Sequence, residues 1–246
     1  RTEDGGGNCA VMGKTLDRIL GHHDAYYYGW DEAPVEGCLK QYETWSRIKM
    51  LGGRIHAAYA DVNACGWSID CARAPCLIAT SEARDWHADG AIVMSYAAPV
   101  TGRDCPAIWR HTKGLRFWYA DFDGINDYVF YYHNRNRWNE FIRSPDGYRC
   151  FGIVCPAKDA MIGTVAFEAL REGVDDVRYL SLMKLRAEAA MASKDTSVAL
   201  LGKRAIAWID SRDPERLGPL DGFRKEVVGW IGRLVAAVGP QPEEPE

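Results

Sequence analysis

No apolar run in this sequence approaches the roughly 18 residues that a membrane-spanning helix requires. A secretory signal pattern is missing as well, and the chain begins at Arg1 rather than Met, which reads as a processed terminus or a fragment boundary. The compartment is left open, and the composition suits a soluble protein compatible with export. Basic excess is lacking: net charge is -4 and the pI is about 5.9, with no basic stripe. A surface that neutralises phosphates carries such a stripe, so nucleic acid is not the expected partner.

Metal and nucleophile motifs are also missing. None of the eight cysteines forms a CxxC pair, and Cys65, Cys71 and Cys76 match no common zinc spacing. They read as scattered buried thiols, with disulfides, which an even count permits, as the alternative. His22, His23, His56, His87, His111 and His133 show no ligand spacing. No metal and no cofactor are therefore expected. Ser68, Ser81 and Ser95 lie in no G-x-S-x-G setting, which argues against a serine hydrolase. Gly5-Gly-Gly7 is not followed by the Lys-Ser/Thr of a phosphate loop, so residues 1–8 read as a flexible loop. No repeat of fixed period is present.

What is present is an ordinary globular composition, 47% apolar and 26% charged, in a chain long enough to bury a sizeable core. Aromatic residues are plentiful, with nine Trp and twelve Tyr. They cluster at Tyr26–Trp30, Trp109–Tyr119 and Tyr128–Trp138. Core packing accounts for some. Exposed aromatic faces also suit the CH face of a pyranose.

Hydrophobic periodicity predicts an alternation of helices and strands. Val11, Met12, Leu16, Ile19 and Leu20 mark a helix over 9–21 with Gly21 as its stop. Strands are predicted at 25–30, 54–59, 76–80, 91–96 and 125–132. Helices are predicted at 38–51, 81–88 and 106–122. Alternation of this kind means parallel strands with helical crossovers. Beyond a polar stretch at 133–147, a strand is predicted at 148–154. Helices follow at 162–170 and 175–192, separated by Arg171-Glu-Gly173, and then at 197–211 and 221–238. The Pro/Glu-rich 240–246 reads as a disordered tail.

Two carboxylates, Asp31 and Glu32, stand where the first of these strands ends, in Tyr27-Tyr-Gly-Trp-Asp-Glu-Ala-Pro34. Catalytic groups of β/α barrels project from the C-terminal ends of strands. Neighbouring strand residues face opposite ways, so both can enter one pocket only if the strand end is kinked, which Pro34 and its loop permit. Carboxylates held close drive one another apart in acidity, so one can serve as an acid while the other stays ionised. The bland alternative is that Asp31 caps a helix or that both are surface charge. Asp121 and Asp123, before the last strand of the alternation, have the same two readings: pocket groups or turn formers.

The segment Glu168-Ala-Leu-Arg-Glu-Gly-Val-Asp-Asp-Val-Arg-Tyr-Leu180 resembles the one that closes the catalytic region of glycoside hydrolase family 123 and its relatives. Val154-Cys155-Pro156, the Trp138-Asn139 pair, Val93–Pro99 and Tyr28–Pro34 fit the same pattern. The resemblance spans roughly residues 24–186. It implies a (β/α)8 TIM-barrel-like catalytic domain of which this chain holds strands four to eight plus C-terminal helices, the first three strands lying upstream of Arg1. It divides the chain into residues 1–192 as the partial barrel, 193–239 as a C-terminal helical segment and 240–246 as the tail. Members are β-N-acetylgalactosaminidases that retain anomeric configuration with help from the substrate.

Carried over, Glu32 is the general acid/base and Asp31 orients the 2-acetamido group. A carbohydrate is then the expected partner, with Tyr28, Trp30, Tyr59, Tyr96, Trp109, Trp118, Tyr128 and Trp138 as candidate sugar contacts. The Arg171–Tyr179 motif is expected to be structural, pinning its helix to the barrel through buried ion pairs. Two rival readings remain: a non-catalytic carbohydrate-binding or scaffold protein on a degenerate barrel, and a glycosidase for sugars that lack an acetamido group.

Overall fold

A computed structural model describes residues 5–22, 26–58, 69–74, 80–95, 105–126, 130 and 153–239. Two compact units are present. The first comprises Arg1–Gly102 and Phe117–Gly152, and the second Arg103–Arg116 and Ile153–Glu246.

In the first unit, helix α1 spans Gly5–Leu20 and strand β1 Tyr26–Tyr28. Helix α2 (Val35–Met50) leads to β2 (Arg54–Ala58). Then come β3 (Cys71–Ala74), α3 (Thr80–Ala88) and β4 (Ile92–Ser95). The short helix α5 (Arg116–Tyr119), of which residues 117–119 belong to this unit, precedes β5 (Gly124–Ile125). All five strands are parallel and lie in chain order, β1-β2-β3-β4-β5. Order without reversal is how a barrel wall is wound; an open doubly wound sheet reverses at a switch point. Among the described residues the sheet is open, and no closed barrel is present.

The register gives the sheet two unlike faces. Tyr27 pairs with Ile55, and Ala57 with Ala72 and through it Val93. Tyr27, Ile55, Ala57 and Val93 face Trp45 and Ile48 of α2, Ala83 and Trp86 of α3, and Phe117, Ala120 and Phe122, with which they form one apolar core. Burying a side chain such as Ile55 contributes about 1.5–3 kcal/mol relative to leaving it in water. The opposite face carries Tyr26, Tyr28, Arg54 and His56 on β1 and β2, beside Ala58, Cys71, Ile92 and Met94. Arg54 lies over the Tyr26 ring, 5.6 Å from its centroid.

Observed and predicted strands differ in this unit. β3 at Cys71–Ala74 is not among the predicted strands; its place is set by Asp70, whose N–H donates to Ile55 O and whose C=O accepts from Ile92 N. Of the strand predicted at 76–80, Thr80 opens α3 and residues 76–79 lie outside the described residues. Of the fifth strand, Gly124–Ile125 pair among the described residues, and residues 127–129, 131 and 132 lie outside them. Gly5-Gly-Gly7 is helical rather than a loop, because α1 extends N-terminally through it. Gly21 does stop α1, at φ 74°, with its N–H on Asp17 O.

The second unit is mostly helical. Helix α4 (Pro106–Arg110) runs into a π-helical turn at His111–Leu115. An antiparallel hairpin pairs β6 (Val154–Pro156) with β7 (Met161–Gly163), where a single strand at 148–154 and a helix from 162 are predicted. Helix α6 then runs unbroken over Val165–Met191. Its start is set by Thr164, whose hydroxyl accepts from Phe167 N and donates to Ile153 O. Helices α7 (Thr196–Asp210) and α8 (Leu220–Val238) match their predicted positions.

The predicted break at Arg171-Glu-Gly173 does not occur. Gly173 is there for proximity: a Cβ on it would stand 2.7 Å from Arg110 O, and one on Gly114 would stand 2.6 Å from Gly173 O. Two backbones can approach this closely only where both side chains are hydrogen. The Arg171–Tyr179 motif does supply a buried ion pair. Asp176, with 1% of its side chain exposed, takes Arg110 Nε at 2.6 Å and Arg224 Nε at 2.5 Å. These bonds join α6 to α4 and α8, so the motif pins helices to one another within this unit.

No helix among the described residues is long and apolar enough to cross a membrane.

Candidate functional site

β1 ends in a turn whose backbone is fixed from both sides. Gly29 N–H still pairs with His56 O at 2.8 Å, continuing the strand for one residue. Trp30 N–H then leaves the ladder and donates to Gln41 Oε1 of α2 at 2.7 Å. Gly29 lies against the ring of Trp45, which a Cβ would approach to 2.9 Å. After the turn, Ala33 is buried and Pro34 opens α2, accepting from Gly37 and Cys38 N–H. The chain is thus held by strand pairing before Asp31 and by helix initiation after Glu32. The kink that the carboxylate pair requires exists.

Within it, the two carboxylates differ in character although both are exposed. Asp31 Oδ1 accepts a short hydrogen bond from the Tyr28 phenol. That phenol ring and the His56 ring make a T-shaped contact, with centroids 5.2 Å apart and planes at 83°. Glu32 has no hydrogen bond or ion pair among the described residues. Its backbone is left-handed, φ 46°. A non-glycine residue pays for that conformation in strain, commonly about 1–2 kcal/mol, and such strain collects at functional sites. Asp31 does not cap α2: that position is Pro34, with no side-chain cap.

The aromatic candidates divide. Tyr28 and Trp30 flank the carboxylates and are 51% and 56% exposed. Trp118 lies on α5, edge-on to Tyr119 with centroids 5.1 Å apart. Trp109 belongs to the second unit, on α4, with Lys113 Nζ 5.4 Å from its ring centroid. Tyr59, Tyr96, Tyr128 and Trp138, like the Trp138-Asn139 pair, lie outside the described residues. Two participants escape a linear reading. His56 reaches Tyr28 through the β1–β2 register, and Gln41 reaches Trp30 from nearly two turns into α2. A polar residue on the first turns of a helix after a strand-end carboxylate is the only signal that could have pointed to Gln41.

Asp121 and Asp123 lie at the other edge of the sheet, before β5. Asp123 Oδ2 accepts Val93 N–H at 2.8 Å and lies 3.0 Å from His87 Nε2. Asp121, at φ 64°, is 3.5 Å from His87 Nδ1. They are turn and latch residues, not pocket groups.

In the second unit, a groove of about 740 Å³ is lined by Pro106, Thr164, Glu168, Pro219 and Asp221 among others. Its one well-buried cation, Arg110, is already committed to Asp176 and Asp221. The hydrogen bond from Arg110 holds the Asp221 carboxyl below the usual carboxylate range. Among the described residues no group of three or more His, Cys, Asp or Glu is arranged to hold a metal ion.

The arrangement at the end of β1 offers one carboxylate with no partner among the described residues, one carboxylate held by a phenol, and two half-exposed aromatic residues beside them. No protein-family model matches the chain, and no curated protein matches it.

Proposed function

We propose that this chain is the C-terminal part of a (β/α)8-barrel glycoside hydrolase that cleaves terminal β-linked N-acetylhexosamine, with Asp31 and Glu32 as the catalytic pair. One observation carries the reading: a solvent-facing glutamate, without a partner among the described residues, in a left-handed turn next to an aspartate held by a phenol, at the C-terminal end of a parallel strand. The unreversed strand order supports a barrel wall. The sequence resemblance to family 123 supplies the substrate class.

In this mechanism the carbonyl oxygen of the substrate's 2-acetamido group attacks the anomeric carbon as the bond to the leaving oxygen breaks. Glu32, in its acid form, gives its proton to that oxygen. Asp31 accepts the acetamido N–H and so orients the attacking group. An oxazolinium ring results, its N–H still held by the Asp31 carboxylate. Water then adds to the anomeric carbon, the Glu32 carboxylate takes the water's proton, and the acetamide is released with configuration retained. No enzyme nucleophile is used, which is a recognised exception to the two-carboxylate scheme.

The test is hydrolysis of chromogenic β-GalNAc and β-GlcNAc glycosides by the natural polypeptide that contains residues 1–246. Glu32→Gln is expected to lower kcat by about 10²–10⁴-fold, the usual worth of a positioned acid/base. Sugar binding without cleavage by the folded wild type would instead establish a non-catalytic carbohydrate-binding protein.

A further inference from the structure

Resting on that reading, we infer that Trp30 is the platform on which the sugar ring stacks, and that Gly37 and Gln41 are positioning residues that seat it. Gly37, Gln41 and Trp45 follow one another at i, i+4 spacing and so share one face of α2. All three meet the turn that ends β1. The Trp45 ring lies against Gly29, where a Cβ would stand 2.9 Å from Cζ2. Gln41 Oε1 accepts the Trp30 N–H at 2.7 Å, and its Nε2 donates to Gly37 O at 3.3 Å. Gly37 takes the indole itself: a Cβ there would stand 3.2 Å from Cε3 and Cζ3 of Trp30, and as close to Ala33 Cβ.

Successive turns of one helix therefore hold both the backbone and the ring of a single residue. A ring seated for stability alone is covered, as the buried Trp45 is. Trp30 is instead 56% exposed, beside the solvent-facing carboxylates. Its backbone is tied before any ligand arrives and its ring already rests on the helix, so stacking a pyranose on it orders little that was free. The CH face of a pyranose suits such a π surface. Gly37 also has a reason to be glycine in the first turn of α2, where alanine is the better helix former: a side chain there would press on the ring.

A stacking platform holds the ground state and the transition state alike, so its loss raises KM and spares kcat. In the natural polypeptide, Trp30→Ala is expected to raise KM for a chromogenic β-N-acetylhexosaminide by roughly 3–10-fold. Its kcat stays within about threefold of wild type and its melting temperature is unchanged. Trp30→Phe recovers part of the loss. Gly37→Ala is expected to raise KM by about 2–5-fold without lowering the melting temperature, because the added methyl favours the helix while displacing the ring. Gln41→Leu removes the acceptor of the Trp30 N–H and is expected to raise KM likewise, and Gln41→Glu, which keeps an acceptor oxygen, restores it. A Gln41→Leu enzyme with the wild-type KM overturns the part given to Gln41.

The deciding measurement is a double-mutant cycle. If Gly37 acts through the ring, Gly37→Ala added to Trp30→Ala leaves KM within about twofold of Trp30→Ala alone. A Gly37→Ala effect that persists at full size in that background comes through Ala33 and overturns the seating role. A Trp30→Ala enzyme with the wild-type KM, or one that loses kcat at constant KM, overturns the platform while leaving the glycosidase reading intact. A wild type that binds the glycoside without cleaving it removes the glycosidase reading alone, and the same shifts are then read in Kd. A wild type that neither cleaves it nor binds N-acetylgalactosamine or N-acetylglucosamine overturns both.

Discussion

The two edges of the five-stranded sheet use carboxylates in opposite ways. At the N-terminal edge, Asp70 stands just before β3 and takes the N–H of Ile55, on the neighbouring strand β2, at 2.8 Å. Asp123 stands just before β5 and takes the N–H of Val93, on β4, also at 2.8 Å. Each is balanced from the last turn of a helix: Lys49 of α2 reaches Asp70 at 3.0 Å, and His87 of α3 reaches Asp123 at 3.0 Å. The device occurs twice, and both times every part of it is spent on holding one strand to the next. At the C-terminal edge, Asp31 accepts from the Tyr28 phenol and Glu32 has no partner among the described residues. Carboxylates at one end of the strands hold the sheet together, while Glu32 at the other faces solvent; the proposed site would put function at that second end, as barrels do.

Substitutions can break that contrast, and Asp176 sets its far end. It is the buried hub of α4, α6 and α8, holding Arg110 through two bonds of 2.6 and 3.0 Å and Arg224 through a third. Asp176→Ala leaves two arginines facing each other with their counter-charge gone. The expected loss is about 3–5 kcal/mol, read by urea denaturation followed through helical circular dichroism. A loss under about 1 kcal/mol would show that Glu172 and Asp221 suffice to neutralise the pair. At the sheet's N-terminal edge, Asp123→Ala strands the Val93 N–H and is expected to cost about 1–3 kcal/mol. Asp123→Asn keeps an acceptor and should recover part of it. Equal losses in the two variants would mean that charge on His87, and not the backbone latch, is what matters.

At the C-terminal edge the sign reverses. Glu32→Gly relieves a left-handed conformation worth about 1–2 kcal/mol and gives part of that back as entropy of the unfolded chain. The net expectation is a gain of about 0.5–1 kcal/mol in stability, with glycosidase activity abolished. Such an exchange of stability for activity is the mark of a strained functional residue. A protein that loses stability on this substitution would place Glu32 with the latches.

How much of this was legible beforehand follows the range of the interactions. Helices α2, α7 and α8 rest on apolar spacing within one segment, and their positions emerge from it. Strands β1, β2 and β4 do likewise. The third strand does not, because Cys71-Ala-Arg-Ala74 is less apolar than the run after it, and its pairing depends on Asp70 meeting Ile55 fifteen residues away. Gly173 reads locally as a helix breaker. Its reason is nonlocal, the Arg110 carbonyl packed against its Cα. At the site, the Asp31-Glu32 pair is visible as two carboxylates at a strand end. Their unequal tethering is not, since it arises from a kinked turn, a phenol three residues back and a glutamine on the following helix. The aromatic contacts show the same limit: richness in Trp and Tyr does not say that Trp109 packs within the helical unit, under Lys113.

The smallest expected effect tests whether exposure alone makes a carboxylate available. Asp221, at the start of α8, is exposed like the strand-end pair, with 83% of its side chain open to solvent, yet Arg110 reaches it at 2.6 Å. That hydrogen bond first, and the arginine's charge second, hold its carboxyl below the ordinary range. A carboxyl whose acidity is strengthened by folding stabilises the fold above its unfolded pKa, and the contribution is lost as pH falls through the folded value. The loss therefore begins near the unfolded carboxyl pKa of about 3.9 and is completed below it. Asp221→Asn should lower the melting temperature slightly at neutral pH, and the gap from wild type should close on acidification below about pH 4. Added salt should narrow the gap at neutral pH too, because an exposed pair is screened. A gap that survives both acid and salt would mean that Asp221 holds α8 by packing or by its N-terminal position. The contrast with Glu32 would then rest on backbone strain, with the presence or absence of a charged partner playing no part in it.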